Sequence, residues 1–155
     1  MLSSVVLASL NSARAKARDA RRQADLNQIA TALEFFYDKN GHYTGPEVCG
    51  HDTSIGGDGS CNSPSYSSGS DWPSNSDLRD LVTGGFMPAL PVDPINNSTY
   101  YYRYEIQNTG SRPQDYALCA RLEGGGFIWK GQKYSGSNFN GSGQPNPEDY
   151  CDAVF

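Results

Sequence analysis

A chain of 155 residues with 37% hydrophobic content and a net charge of −5 has room for one modest domain. Its acidic balance opposes broad binding to phosphate backbones, so no specific nucleic-acid partner is expected. Ten Tyr, six Phe and two Trp supply aromatic area for a core, while 17 Gly and 9 Pro indicate long loops.

Residues 2–39 predict one helix, uninterrupted by Gly or Pro and closed by Asn40-Gly41. At ~1.5 Å per residue it would extend roughly 57 Å, longer than a small domain is wide. Part of it must therefore find partners outside its own domain. An apolar run, Leu2 to Leu10, is followed by a basic, alanine-rich segment from Asn11 to Arg22. Ala13, Ala17, Ala20 and Ala24 recur at three- and four-residue steps, which lets another helix approach closely, although alanine also serves helix propensity alone. Further on, Leu26, Ile29, Ala30, Leu33, Phe36 and Tyr37 form an amphipathic stripe directed at a core. The chain divides on this basis into a protruding stem, residues 2–25, and a head, residues 26–155, of one domain.

Charge is split along the same line. Arg14, Lys16, Arg18, Arg21 and Arg22 against Asp19 give the first 22 residues +4, and the remainder, with seven basic and sixteen acidic residues, carries −9. A solvated face is the plain reading of such a run. A nucleic-acid arm, a membrane-surface helix and complementary surfaces for self-assembly are the functional ones.

After His42 to Pro46, residues 47–75 are mostly Gly, Ser, Asp and Asn and predict a long loop. A short helix is expected over 76–83, capped by Ser74 or Asn75 and stopped by Gly84-Gly85. Proline-rich residues 86–94 read as extended. Residues 98–106 alternate as a strand, with Tyr100, Tyr102 and Tyr104 on one face. Residues 115–123 alternate again, and Gly124 to Gly126 turn the chain into a third strand over 127–130. These make an antiparallel meander. Asn96, Asn97 and Asn140 match the glycosylation sequon and are read as turn residues.

Cys49, Cys61, Cys119 and Cys151 lack C-x-x-C spacing, and the two histidines do not complete a zinc set. Disulfides in an oxidising compartment are the better reading. Of three connectivities, Cys49–Cys61 with Cys119–Cys151 closes the two loops that most need closing, at ~2–4 kcal/mol each. Residues 1–10 are too short to span a membrane, which takes about 20 apolar residues, and they lack the order of a signal peptide. Nucleophile-elbow, P-loop, dinucleotide and metalloprotease motifs are all missing from the sequence, so no enzyme is expected. His42 and His51 read as surface histidines.

The segment Leu2-Ser-Ser-Val-Val-Leu-Ala-Ser-Leu10 through Phe35-Phe-Tyr-Asp-Lys-Asn-Gly-His-Tyr43, with Leu90-Pro-Val-Asp-Pro94 and Tyr100-Tyr-Tyr102, resembles the type IV pilins and, more closely, the major (G-type) pseudopilins of type II secretion. The resemblance implies an α+β, pilin-like fold. In it a long N-terminal helix packs on a three- to four-stranded antiparallel sheet with long disulfide-closed loops. It implies a structural filament subunit assembling through Val5, Val6, Leu10, Ala13, Ala17 and Ala20, with Ile29, Leu33 and Phe36 in the head core. The family's basic leader and unbroken apolar half are not matched, and the chain start looks like the last third of that half. A full-length precursor would be anchored in the inner membrane through that segment. Prepilin peptidase and the inner-membrane assembly machinery would act on it there, before it enters an extracellular or cell-surface filament. No cofactor is expected, although some pseudopilins of this group hold calcium in the C-terminal loop. Here Glu148, Asp149 and Asp152 cluster without matching a pattern, and residues 52–58 offer further oxygens. The other reading is a secreted, disulfide-stabilised binding or adhesion module anchored by its helix.

Overall fold

A 39-residue helix, α1 (Leu2–Asn40), runs from the chain start into the head and supplies one wall of its core. The structure, a computed structural model, describes residues 2–45, 65–67, 72, 78–107, 115–132 and 151. Leu26, Ile29, Leu33 and Phe36, at three- and four-residue steps, are all buried. The stop falls where the sequence places it. Gly41 takes a φ of +75° and its N–H donates to the Tyr37 carbonyl, while the Asn40 side-chain amide donates to the Phe36 carbonyl.

Facing the helix is an antiparallel meander of β2 (Tyr102–Gln107), β3 (Asp115–Arg121) and β4 (Phe127–Gln132). A two-residue edge strand, β1 (Ser65–Tyr66), pairs with Arg103 and Tyr104 of β2. Period-two alternation sorts the side chains. Tyr102, Tyr104, Tyr116, Leu118 and Ala120 point into the core with the helix. Ala117 and Cys119 point the other way, where Cys151 and Phe127 cover them. The fold is thus α+β, a helix on a small antiparallel sheet.

A short helix, α2 (Arg79–Thr83), closes one end of the core through Leu81, with Leu78, Met87 and Leu90 beside it. Gly84 is required just beyond it: a Cβ there would lie 2.6 Å from the Phe86 ring. Trp72 is tied to this region by its indole N–H, which donates to the Pro91 carbonyl at 2.9 Å.

Several boundaries differ from the sequence expectation. β2 begins at Tyr102, not Ser98, because the Asn97 side chain takes the N–H groups of Thr99 and Tyr100 and holds them in a turn. β3 ends at Arg121, where the turn through Gly125 and Gly126 sets in and Leu122 N–H donates to the Gly126 carbonyl. Residues 65–66, read as loop, are strand. The first residue before α2 is Leu78, with no side-chain cap, and Ser74 and Asn75 lie outside the described residues. His42 is not a surface residue. It is buried, edge-on to Phe36 with centroids 5.7 Å apart, and its Nδ1 lies 2.9 Å from the Tyr43 carbonyl oxygen.

Cys119 and Cys151 are bonded, with Cα atoms 5.6 Å apart. Cys49 and Cys61 lie outside the described residues, and within this chain they have only each other left to pair with. Asn96 and Asn97 are turn residues, Asn96 at a φ of +51°. Asn140 lies outside.

Leu33→Ala is expected to cost about 2–5 kcal/mol in a urea unfolding experiment, because Leu33 is fully buried between helix and sheet. Leu10→Ala, at an exposed position, should change the midpoint by no more than about 0.5 kcal/mol.

Candidate assembly surface

The first turns of α1 carry apolar side chains that the head does not cover. Val6 is 64% exposed, Leu7 60% and Leu10 45%. Ala13, Ala17 and Ala20 are exposed as well, so the positions expected to mediate assembly share one open surface, while the Val5 side chain lies outside the described residues. The head-core positions Ile29, Leu33 and Phe36 lie on the opposite, buried face. Clustered apolar exposure of this kind marks an interaction surface more often than chance exposure does.

What fixes the stem relative to the head is polar. Arg22 is fully buried, at 0% exposure, although the stripe rule assigns its position to a hydrophobe. Its Nε and NH2 grip Asp93 at 2.6 and 3.0 Å, in the two-pronged geometry that suits guanidinium and carboxylate. Its NH1 reaches Asp19 at 2.6 Å and Glu123 at 2.9 Å, and the Tyr100 ring lies 4.9 Å from the guanidinium carbon. Arg18, one turn earlier, is bonded through Nε and NH2 to both oxygens of Glu123. Asp19 also accepts the backbone N–H groups of Glu123 and Gly124. Asp93 accepts those of Ile95 and Asn96. Every charge in this cluster therefore has a partner, which is the condition for burying it.

Titration follows from the pairing. Burial alone would depress the Arg22 guanidinium, but hydrogen bonds to Asp93, Glu123 and Asp19 raise it, and it stays charged. Glu123 is held at about 2, chiefly by its hydrogen bond from Arg18, against the smaller opposing effect of burial. A second polar tie, the Tyr102 hydroxyl donating to Asp25 at 2.7 Å, joins β2 to the helix. Burial first, then Asp25, push that phenol up.

These contacts move the edge of the head. It holds the helix from Arg18 onward, so the division between residues 25 and 26 falls inside the contact. They also revise the charge reading: Arg18 and Arg22, two of the five basic residues in the stem, are used within the chain. Arg21 lies 3.5 Å from Asp25 but is mostly exposed. Arg14 and Lys16 are exposed.

Beside the helix lies a groove of about 380 Å³, lined by Thr31 and Phe35 of α1 and by Phe86, Met87, Pro88 and Ala89 of the segment after α2. Phe35 is 59% exposed.

Among the described residues no group of three His, Cys, Asp or Glu side chains is placed to hold a metal, and no helix is long and apolar enough to cross a membrane. Residues 52–58 and the carboxylates of Glu148, Asp149 and Asp152 lie outside the described residues, as does His51. The clamp lies outside the sequence expectation, yet the sequence holds a signal for it. Arg18 and Arg22 continue the buried stripe of Leu26, Ile29 and Leu33 backwards at three- and four-residue steps.

Comparison with protein-family models, with curated proteins and with solved structures found no match.

Arg22→Ala is expected to destabilise the fold by about 3–5 kcal/mol in denaturant titration, because Asp93 would be left buried without its counter-charge. Arg21→Ala should change it by about 0.5 kcal/mol or less. The depressed Glu123 stabilises the fold fully above its ordinary value of 4.5, and that contribution is lost as pH falls through about 2. The melting-temperature gap between wild type and Glu123→Gln should therefore be widest above pH 4.5 and shrink steadily toward pH 2.

Proposed function

We propose that this chain is a structural subunit of a helical filament of the type IV pilus or type II secretion pseudopilus kind, built on a pilin-like fold and assembled through α1. The observation that carries the reading is the division of labour along that single helix. Its later turns are buried in the head, while Val6, Leu7 and Leu10 are left exposed at its start. A monomer gains nothing from such a stem. A polymer does, because head-to-tail contacts between unlike surfaces extend without closing. The buried clamp at Arg22 supports the same reading, since it makes stem and head one rigid piece and lets force on one reach the other.

On this reading a precursor enters the inner membrane, prepilin peptidase processes it, and the assembly machinery draws it into a filament that displays the head. No catalytic role is assigned.

Immunogold electron microscopy of the native cell surface with antibody to the head tests the proposal. Labelled filaments are expected, and label confined to the envelope without filaments would remove it. Attraction between copies rests on Arg14, Lys16 and Arg21, so raising salt from 0.05 to about 0.5 M should loosen the filaments by shortening the screening length. Filament mass recovered by sedimentation at each salt concentration is the readout.

A further inference from the structure

We propose that the groove between α1 and residues 86–89 receives the apolar stem of a second copy, set parallel and slid so that Leu10 of one lies against Phe35 of the other. The inference rests on the filament reading and names the contact within it.

The two apolar surfaces cannot meet within one chain. Leu10 and Asn27, at the near end of the groove, are separated by roughly 26 Å of the same helix. They do share a helix face. From Val6, steps of three, four or seven residues pass through Leu10, Ala13, Ala17 and Ala24 to Thr31 and Phe35. Arg22, Leu26, Ile29 and Leu33 occupy the opposite face and are buried. Two copies apposed on the open face and offset by roughly 37 Å bring stem onto groove. An amphipathic helix seated by residues at (i, i+4) in an apolar groove is a common recognition mode, and Val6 and Leu10 have that spacing.

Charge selects the direction. With Leu10 on Phe35 in the parallel setting, exposed Arg14 comes within a turn of exposed Asp38 of the neighbour. The antiparallel setting puts Arg14 opposite neutral Thr31. It also brings Arg21 of both copies within a turn of each other, where they repel. The parallel contact joins unlike surfaces, leaving each copy one free stem and one free groove. Growth therefore has no closed end point. A contact of a few side chains falls short of the ~800 Å² per partner of a stable pair, so single contacts are weak and are expected only at high protein concentration.

Sedimentation equilibrium of the 155-residue chain over a concentration series tests this. Wild type should associate beyond a dimer. Leu10→Glu and Phe35→Glu, both at exposed positions and checked for unchanged circular dichroism, should each weaken association at least about tenfold. An equimolar mixture of the two should associate again but stop at a dimer, because only one intact stem and one intact groove remain per pair. Arg14→Glu should also weaken association, and adding Asp38→Arg in the same chain should restore it. If Leu10→Glu abolishes association while Phe35→Glu leaves it intact, stems assemble on one another. The groove proposal then falls while the filament reading stands. A wild type that stops at a closed dimer, or stays monomeric at every concentration, overturns the proposal too. Surface filaments seen by microscopy would then still support the filament reading on their own.

Discussion

A buried arginine ties this structure together. Arg22 lies within the helix, yet three of its nitrogens bind carboxylates from α1 itself, from the segment before β2 and from the turn after β3. Hydrophobic contacts are non-directional and would let the helix slide or rotate against the sheet at modest cost. A planar guanidinium in a fixed set of acceptors does not. It sets the register of the helix along its axis and the angle around it. Which residues face the core and which face outward then follow from the helical repeat.

This division runs through the rest of the chain. Below the clamp, apolar side chains of α1 meet the tyrosine-rich inner face of the sheet, and three phenols are finished by carboxylates at the rim. Tyr102 donates to Asp25, and Tyr43 and Tyr116 share Glu34. Aromatic rings provide large buried area, and each of these three hydroxyls still finds an acceptor. Above the clamp, among the described residues, most side chains of α1 are exposed, apolar or small ones interspersed with Arg14 and Lys16. The same element is buried at one end and exposed at the other.

Much of this was legible in the sequence, and for physical reasons. A run without Gly or Pro, with apolar residues at three- and four-residue steps, has few alternatives to a helix, and Asn40-Gly41 has few alternatives to a stop. The alternation in residues 102–106 and 116–120 placed the strands and their faces, and the Cys119–Cys151 pairing followed from loop closure. The clamp was less legible because its partners are remote: Arg22 and Asp93 are 71 residues apart, Arg22 and Glu123 101. Local propensity carries no information on such pairs. The strand boundary at Tyr102 was missed because an asparagine side chain competed with the ladder for two backbone donors. β1 is too short for any periodicity to show. An imidazole beside a helix stop reads as a solvated group, whereas the turn folds His42 back onto Phe36.

The alternation of β3 has one more consequence. Its even-numbered core residues touch the helix side, and its odd-numbered Ala117 and Cys119 touch the side closed by Cys151. One strand thus insulates two neighbourhoods from each other. Sequence drift around the C-terminal disulfide need not be felt at α1, so such a chain can diversify the surface on one side of its sheet while the other keeps a constant geometry.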